Sequence, residues 1–277
     1  MLSPPPNPPP PRLDDCSANY DLSSIALLIM HLEPQCSAEV QDKATGALKD
    51  LANIVENQAK LGSAGAIPPL VALLGTRYTG KTAQENSISA LGSLANNDNN
   101  KVNIAVAGAI PPLVALLGPK TPVNVQYLAT IALWNLALND DNKVNIAAAG
   151  AVPPLVALLG PQNSAAVQEN AASTLSSLAE GNDANKLKIF DAGAVRLLVV
   201  LLGPQNSAEV QRAAVETLWK ISTGSSYHNL QAMVCTQIKD YGVDALTQLE
   251  NSTTADGDAK LFASEILNSI YSVHFVY

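Results

Sequence analysis

Apolar and polar positions along the chain repeat on two scales. The short scale is helical. Val125, Ala129, Leu133 and Leu136 are spaced by four, four and three residues, and the same pattern returns as Val167, Ala171, Leu175 and Leu178. It returns again as Val210, Ala214, Leu218 and Ile221, and earlier as Val40, Ala44, Leu48 and Leu51. At ~100° per residue such steps keep all four side chains on one helix face, so each set predicts a helix with a core-facing stripe.

The long scale is a repeat. Gly-Ala-Ile-Pro-Pro-Leu-Val-Ala-Leu-Leu-Gly begins at Gly65 and recurs unchanged at Gly108. At Gly150 it returns with Val for Ile, and at Gly193 as Gly-Ala-Val-Arg-Leu-Leu-Val-Val-Leu-Leu-Gly, so the spacings are 43, 42 and 43 residues. Gly242 opens a degenerate fifth copy after 49 residues. A further unit shows at the other end, where Pro34-Gln-Cys-Ser-Ala-Glu-Val-Gln41 matches the segments starting at Pro161 and Pro204. A fixed period of this length marks a repeat architecture in which neighbouring units bury each other's apolar faces.

Each unit reads as three helices. The first is expected to open on an Asn N-cap at Asn57, Asn100, Asn142 and Asn185, and to stop at Gly65, Gly108, Gly150 and Gly193 as left-handed C-caps. The second starts at the proline pairs 68–69, 111–112 and 153–154, where a missing N–H costs nothing, and ends at Gly75, Gly118, Gly160 and Gly203. The third is the long striped helix. Residues 21–54 and 226–277 are expected to act as end caps.

The period, the three-helix unit and the Gly-Ala-Ile-Pro-Pro-Leu-Val signature resemble the armadillo repeat, over about residues 21–277. The resemblance implies an all-α, right-handed superhelix, an armadillo solenoid of about four clear repeats with degenerate capping units at each end. It also implies that third helices line a concave groove taking another protein or an extended peptide. Importin-alpha-like members place a Trp and, four residues later, an Asn on each third helix. Those columns fall here on Gly46, Ser89, Ile131, Ser173 and Glu216, and on Asp50, Ser93, Asn135, Ser177 and Lys220. Only Asn135 fits, which disfavours a nuclear import adaptor.

The groove residues expected from this register are Tyr127, Leu128, Ile131, Trp134 and Asn135 on the central third helix, with Asn86, Ser89, Asn170 and Ser173 beside it and Trp219 farther along. Aromatic and aliphatic side chains among small polar ones have the composition of a binding hot spot. Both tryptophans are open to a second reading, packing between adjacent third helices; Arg212, seven residues before Trp219, is placed to stack on it.

Composition narrows the function classes. Charged residues make up 14% of the chain and the net charge is −8, which argues against nucleic acid as partner. Aromatics are 4% and hydrophobics 47%, so Leu, Ala, Val and Ile must build the core. Cys16, Cys36 and Cys235 are far apart and form no CxxC or Cys/His set, so we expect no metal and free thiols in a reducing compartment, the cytoplasm or the nucleus. Cys36 occupies a loop position that is Asn163 and Asn206 in other copies. His31 stands where another copy has Leu158, a half-buried helix position, and His228 is expected in solvent. No membrane-spanning stretch is present, and no catalytic set emerges, so neither enzyme nor cofactor is expected.

Residues 75–82, Gly-Thr-Arg-Tyr-Thr-Gly-Lys-Thr, match the phosphate-loop pattern GxxxxGK[ST]. That loop works on a strand-to-helix turn, whereas the preceding residues are second-helix sequence in every copy. The first 20 residues are expected to be a disordered tail, with seven prolines before residue 12, and they offer a ligand of the SH3, WW or profilin-like kind. The expected function is a non-catalytic adaptor or scaffold. The alternative is the substrate-recognition component of a ubiquitin ligase system, by resemblance to plant U-box armadillo proteins; with no U-box ahead of the repeats, catalysis is expected from a separate subunit.

Overall fold

A computed structural model describes residues 22–75, 81–226 and 228–272, and these are all helix, turn and loop. The chain divides into two compact units, one running to Leu113 and one from Val114. The described residues of each unit are all-helical, and the fold class is an α-solenoid of several repeats. The proline-rich tail and residues 76–80 of the phosphate-loop match lie outside the described residues. The segment that leads into that loop is helical, not a strand.

The first unit holds α1 (Leu22–Met30), α2 (Ala38–Ala52), α3 (Val55–Ser63), α4 (Ile67–Ala72), α5 (Lys81–Leu94) and α6 (Asp98–Val106), and α7 (Ile110–Ala115) crosses its boundary. The second holds α8 (Val123–Leu136), α9 (Asp140–Ala148), α10 (Val152–Leu158), α11 (Ala165–Ala179), α12 (Asp183–Asp191), α13 (Ala194–Leu201) and α14 (Ala208–Ser222). It closes with α15 (His228–Tyr241), α16 (Val243–Glu250) and α17 (Gly257–Ser272). The 14-residue α15 replaces a nine-residue first helix, which accounts for the longer final spacing.

The long helices carry the core. In the second unit α11 packs between α8 and α14, and α14 packs on α17; in the first, α2 packs on α5. The predicted stripe is buried in every copy, with Leu133, Leu175 and Leu218 fully enclosed; only Val40, at the end of the array, is half-exposed. Gly65, Gly108, Gly150 and Gly193 take φ of 84°, 82°, 81° and 78°, the left-handed backbone expected of a glycine C-cap. Gly242 does not, at φ −126°; a Cβ there would lie 2.9 Å from Val199.

The first-helix caps differ from expectation. The capping residues are Asn97, Asn139 and Asn182, three places earlier, whose side chains accept from the N–H of Asn100, Asn142 and Asn185. Their partners, expected as caps, are instead buried inter-helix ties. Asn100 Nδ2 donates to the Gln58 carbonyl at 2.8 Å, and Asn185 Nδ2 to Leu178 at 3.0 Å and Lys143 at 3.4 Å. Beside each sits a buried lysine. Lys101 and Lys143 pair with Asp98 and Asp140 one turn back, at 2.6 and 2.8 Å. Lys186 Nζ donates at 2.7 Å to the Thr223 carbonyl, the C-cap of α14, where the helix dipole is negative.

The Pro-Gln-Asn-Ser motif also gains a mechanism. Ser37, Ser164 and Ser207 cap α2, α11 and α14. The glutamine four residues on reaches back to close the preceding turn. Gln168 donates to Leu159 and Gly160, Gln211 to Leu202 and Gly203, and Gln41 to Leu32 and Glu33. Carbonyls left orphaned at the end of each second helix are thereby satisfied.

Candidate functional site

α8 has no formally charged side chain between Val123 and Leu136. Its core stripe points inward, and an apolar stripe points outward. Val123 and Leu138 are 59% and 55% exposed, and Tyr127 and Trp134 are each 37% exposed. Val123, Tyr127 and Trp134, in steps of four and seven residues, lie within about 40° of arc, and Leu138 follows in the turn just past the C-cap Ala137. Leu128 and Ile131 flank them half-buried. Two stripes on one helix require solvent or a partner on the outer side, since burying either in the core exposes the other.

The remaining expected residues divide. Asn170 and Ser173 of α11 and Ser89 of α5 are half-buried on their helices. Asn86 is half-buried too, but its amide donates to the Asp42 carbonyl and Thr45 Oγ1, both at 3.4 Å, and so ties α5 to α2. Asn135, the single match to the importin Asn column, is 8% exposed and is not displayed beside Trp134. α8 packs on α11 at its flank as well as on the core below, so its buried arc is wider than one stripe. The same geometry encloses Thr130, Thr174 and Thr217, whose hydroxyls are spent on backbone carbonyls.

Trp219 is half-buried between helices. Its ring stacks on Phe262 with centroids 4.8 Å apart and 27° between planes, and its N–H donates to the Glu265 carboxylate. Arg212, expected on that ring, pairs instead with Glu216 and Asp256, at 3.7 Å each. Trp219 is therefore a packing residue with both its apolar face and its polar edge occupied.

The charged network next to it is the feature that sequence reasoning missed. Glu216 accepts from Ser176 Oγ at 3.0 Å and pairs with Lys220 at 3.0 Å, and Lys220 reaches Glu180 at 3.3 Å. The signal was present in the third-helix column that reads Ile131, Ser173, Glu216, where the residue type changes from apolar to neutral to anionic across adjacent helices.

Three clefts, of about 390, 420 and 200 Å³, are lined by other residues, among them Asn97 and Asn103, Pro34 and Pro69, and Pro204 and Gln248. Among the described residues no group of three or more His, Cys, Asp or Glu is arranged to hold a metal ion. His31 is buried just beyond α1, and burial pushes the Cys235 thiol up from its ordinary value. The exposure of His228 lies outside the described residues. No described helix is long and apolar enough to cross a membrane.

Residues 97–138, 139–180 and 182–223 match the family model of the Armadillo/beta-catenin-like repeat. The chain belongs to the armadillo-repeat family. No curated protein sequence matches it. Among solved structures, an engineered protein is similar to it at 32% identity and TM-score 0.78, over 90% of this chain and 96% of that one. The designed armadillo repeat protein YIII(Dq)4CqI is similar at 29% identity and TM-score 0.77, over 89% and 99%. The designed armadillo repeat protein YIII(Dq.V1)4CPAF, in complex with the peptide (KR)4, is similar at 26% identity and TM-score 0.76, over 89% and 99%. In armadillo terms, the outward stripe of α8 and the network of α14 both stand on third helices of the second unit, separated by α11.

Proposed function

We propose that this armadillo protein is a non-catalytic adaptor that takes an extended segment of another protein on the third-helix face of its second unit. The outward apolar stripe of α8 carries the reading. It places Val123, Tyr127 and Trp134 along one exposed line of a helix whose core stripe is already buried, with Leu138 exposed in the turn beyond. Exposed aromatics flanked by the half-buried Leu128 and Ile131, next to a helix that carries Asn170 and Ser173, are what interface cores are made of, because Trp and Tyr bury large area at low conformational cost. The peptide-bound designed armadillo protein supports this use of the fold. A reducing setting, cytoplasm or nucleus, accords with the buried thiol of Cys235.

The test is affinity capture from a native lysate with wild type and Trp134→Ala, followed by hydrogen exchange on the purified complex. The expected result is loss of the captured protein in the variant, together with partner-dependent protection of α8 and α11. Capture that is equal for both proteins, with protection confined to other helices, would overturn the reading.

A further inference from the structure

The charges beside the α8 stripe specify its partner further. From α8 the third-helix face passes to α11 and then to α14. α11 presents Glu169, half-buried, and its C-cap Glu180 is exposed. α14 presents Glu216, and beyond it stand Asp256 and Glu265. Against these carboxylates the face sets two cations, Arg212 and Lys220, each already held between two acids. Lys220 is 16% exposed and Arg212 42%, and both are ion-paired, so the excess of carboxylates over these two cations leaves the face that a partner meets with a net negative charge.

Resting on the adaptor reading above, we infer that the segment taken is apolar at one end and cationic at the other. One aliphatic or aromatic residue seats at Tyr127 and Trp134, and lysines or arginines lie over the carboxylates of α11 and α14. Spacing sets the register. Packed helices stand about 8–10 Å apart and an extended chain advances about 3.3–3.6 Å per residue, so about two to three residues span each helix. The cations therefore fall about three and five residues from the apolar anchor. An acidic segment would add like charge to a face that already has an excess of it, which costs affinity at every approach. The lack of charge on α8 fixes the order: a cation above Trp134 would meet no carboxylate of that helix.

The experiment selects a fully randomised 12-residue peptide library, displayed on phage, against the whole chain, with removal of clones that also bind Trp134→Ala. The expected consensus has an apolar residue with Lys or Arg about three and five places away. A labelled peptide of that sequence is expected to bind about tenfold more weakly when its cations are exchanged for Glu, and similarly more weakly to Glu180→Gln/Glu216→Gln. Circular dichroism checks the fold of each variant; should Trp134→Ala lose helicity, Tyr127→Ser replaces it in the counter-selection. A Trp134-dependent consensus that is acidic or uncharged, or cationic without an anchor, overturns the inference and leaves the adaptor reading standing. Failure to select any peptide that depends on Trp134 or Tyr127 overturns both.

Discussion

The side-chain amide of Asn100 donates to the backbone carbonyl of Gln58, 42 residues earlier, at 2.8 Å. Its oxygen lies against Gly62, where an added Cβ would sit 1.9 Å away. A glycine that looks like a helix weakness is thus the space that admits an inter-repeat tie. Gly62→Ala is expected to destabilise the protein despite the higher helix propensity of alanine. In an Asn100→Ala background the same change is expected to be neutral or to gain up to about 1 kcal/mol. Asn100→Ala alone leaves the Gln58 carbonyl buried and costs about 1–3 kcal/mol. Urea unfolding of the four proteins tests this coupling, and equal effects of Gly62→Ala in both backgrounds would refute it.

Trp134 and Trp219 hold equivalent third-helix positions and should respond unequally. Trp134→Ala is expected to cost about 1–2 kcal/mol, because the residue keeps 37% of its surface in solvent. Trp219→Ala removes the stack on Phe262 and the hydrogen bond to Glu265, and should cost about 2–4 kcal/mol. Thermal unfolding compares them directly.

Leu133, one residue before Trp134, is fully buried. Leu133→Ala is expected to cost about 2–5 kcal/mol through lost burial and a residual cavity. The contrast between adjacent positions in a denaturant titration checks which way α8 faces.

Gln168 and Gln211 each satisfy two backbone carbonyls. Gln168→Leu keeps the bulk and removes the donor, and is expected to cost about 1–3 kcal/mol. Amide exchange in α11 should accelerate with it. Unchanged exchange there would show that water replaces the glutamine.

Asp183 accepts from the hydroxyl and the N–H of Ser226, which hold its carboxyl below the usual aspartate value; Lys186 adds to this. Asp98 and Asp140 are lowered first by hydrogen bonds from Lys101 and Lys143 and then by their charge. A carboxylate depressed in the folded state contributes stability above its unfolded value and loses it as pH falls through the folded one. Acid destabilisation is therefore expected below about pH 4. Carboxyl titration by NMR should put Asp183 below the midpoint of an exposed aspartate, and Ser226→Ala should raise it.

Much of this was legible in the chain itself. The periods of 42 and 43 residues, the glycine stops and the four-four-three stripes required helices of known length and inward face, and the core followed. These signals are local: helix sterics, the left-handed freedom of Gly65 and its copies, and periodicity all act within a few residues. The fate of each polar or aromatic side chain was not local. Asn100 read as a cap and became a tie to Gln58; Asn135 read as displayed and is buried; Trp219 found Phe262 instead of Arg212. The outcomes at Asn100 and Trp219 each depend on a helix some forty residues away in the chain, whose distance and orientation only packing decides. The sequence by itself determined the repeat, its helices and their buried stripe. Tertiary structure decided which third-helix residues are left for a partner, because burial on the flanks depends on both neighbours at once.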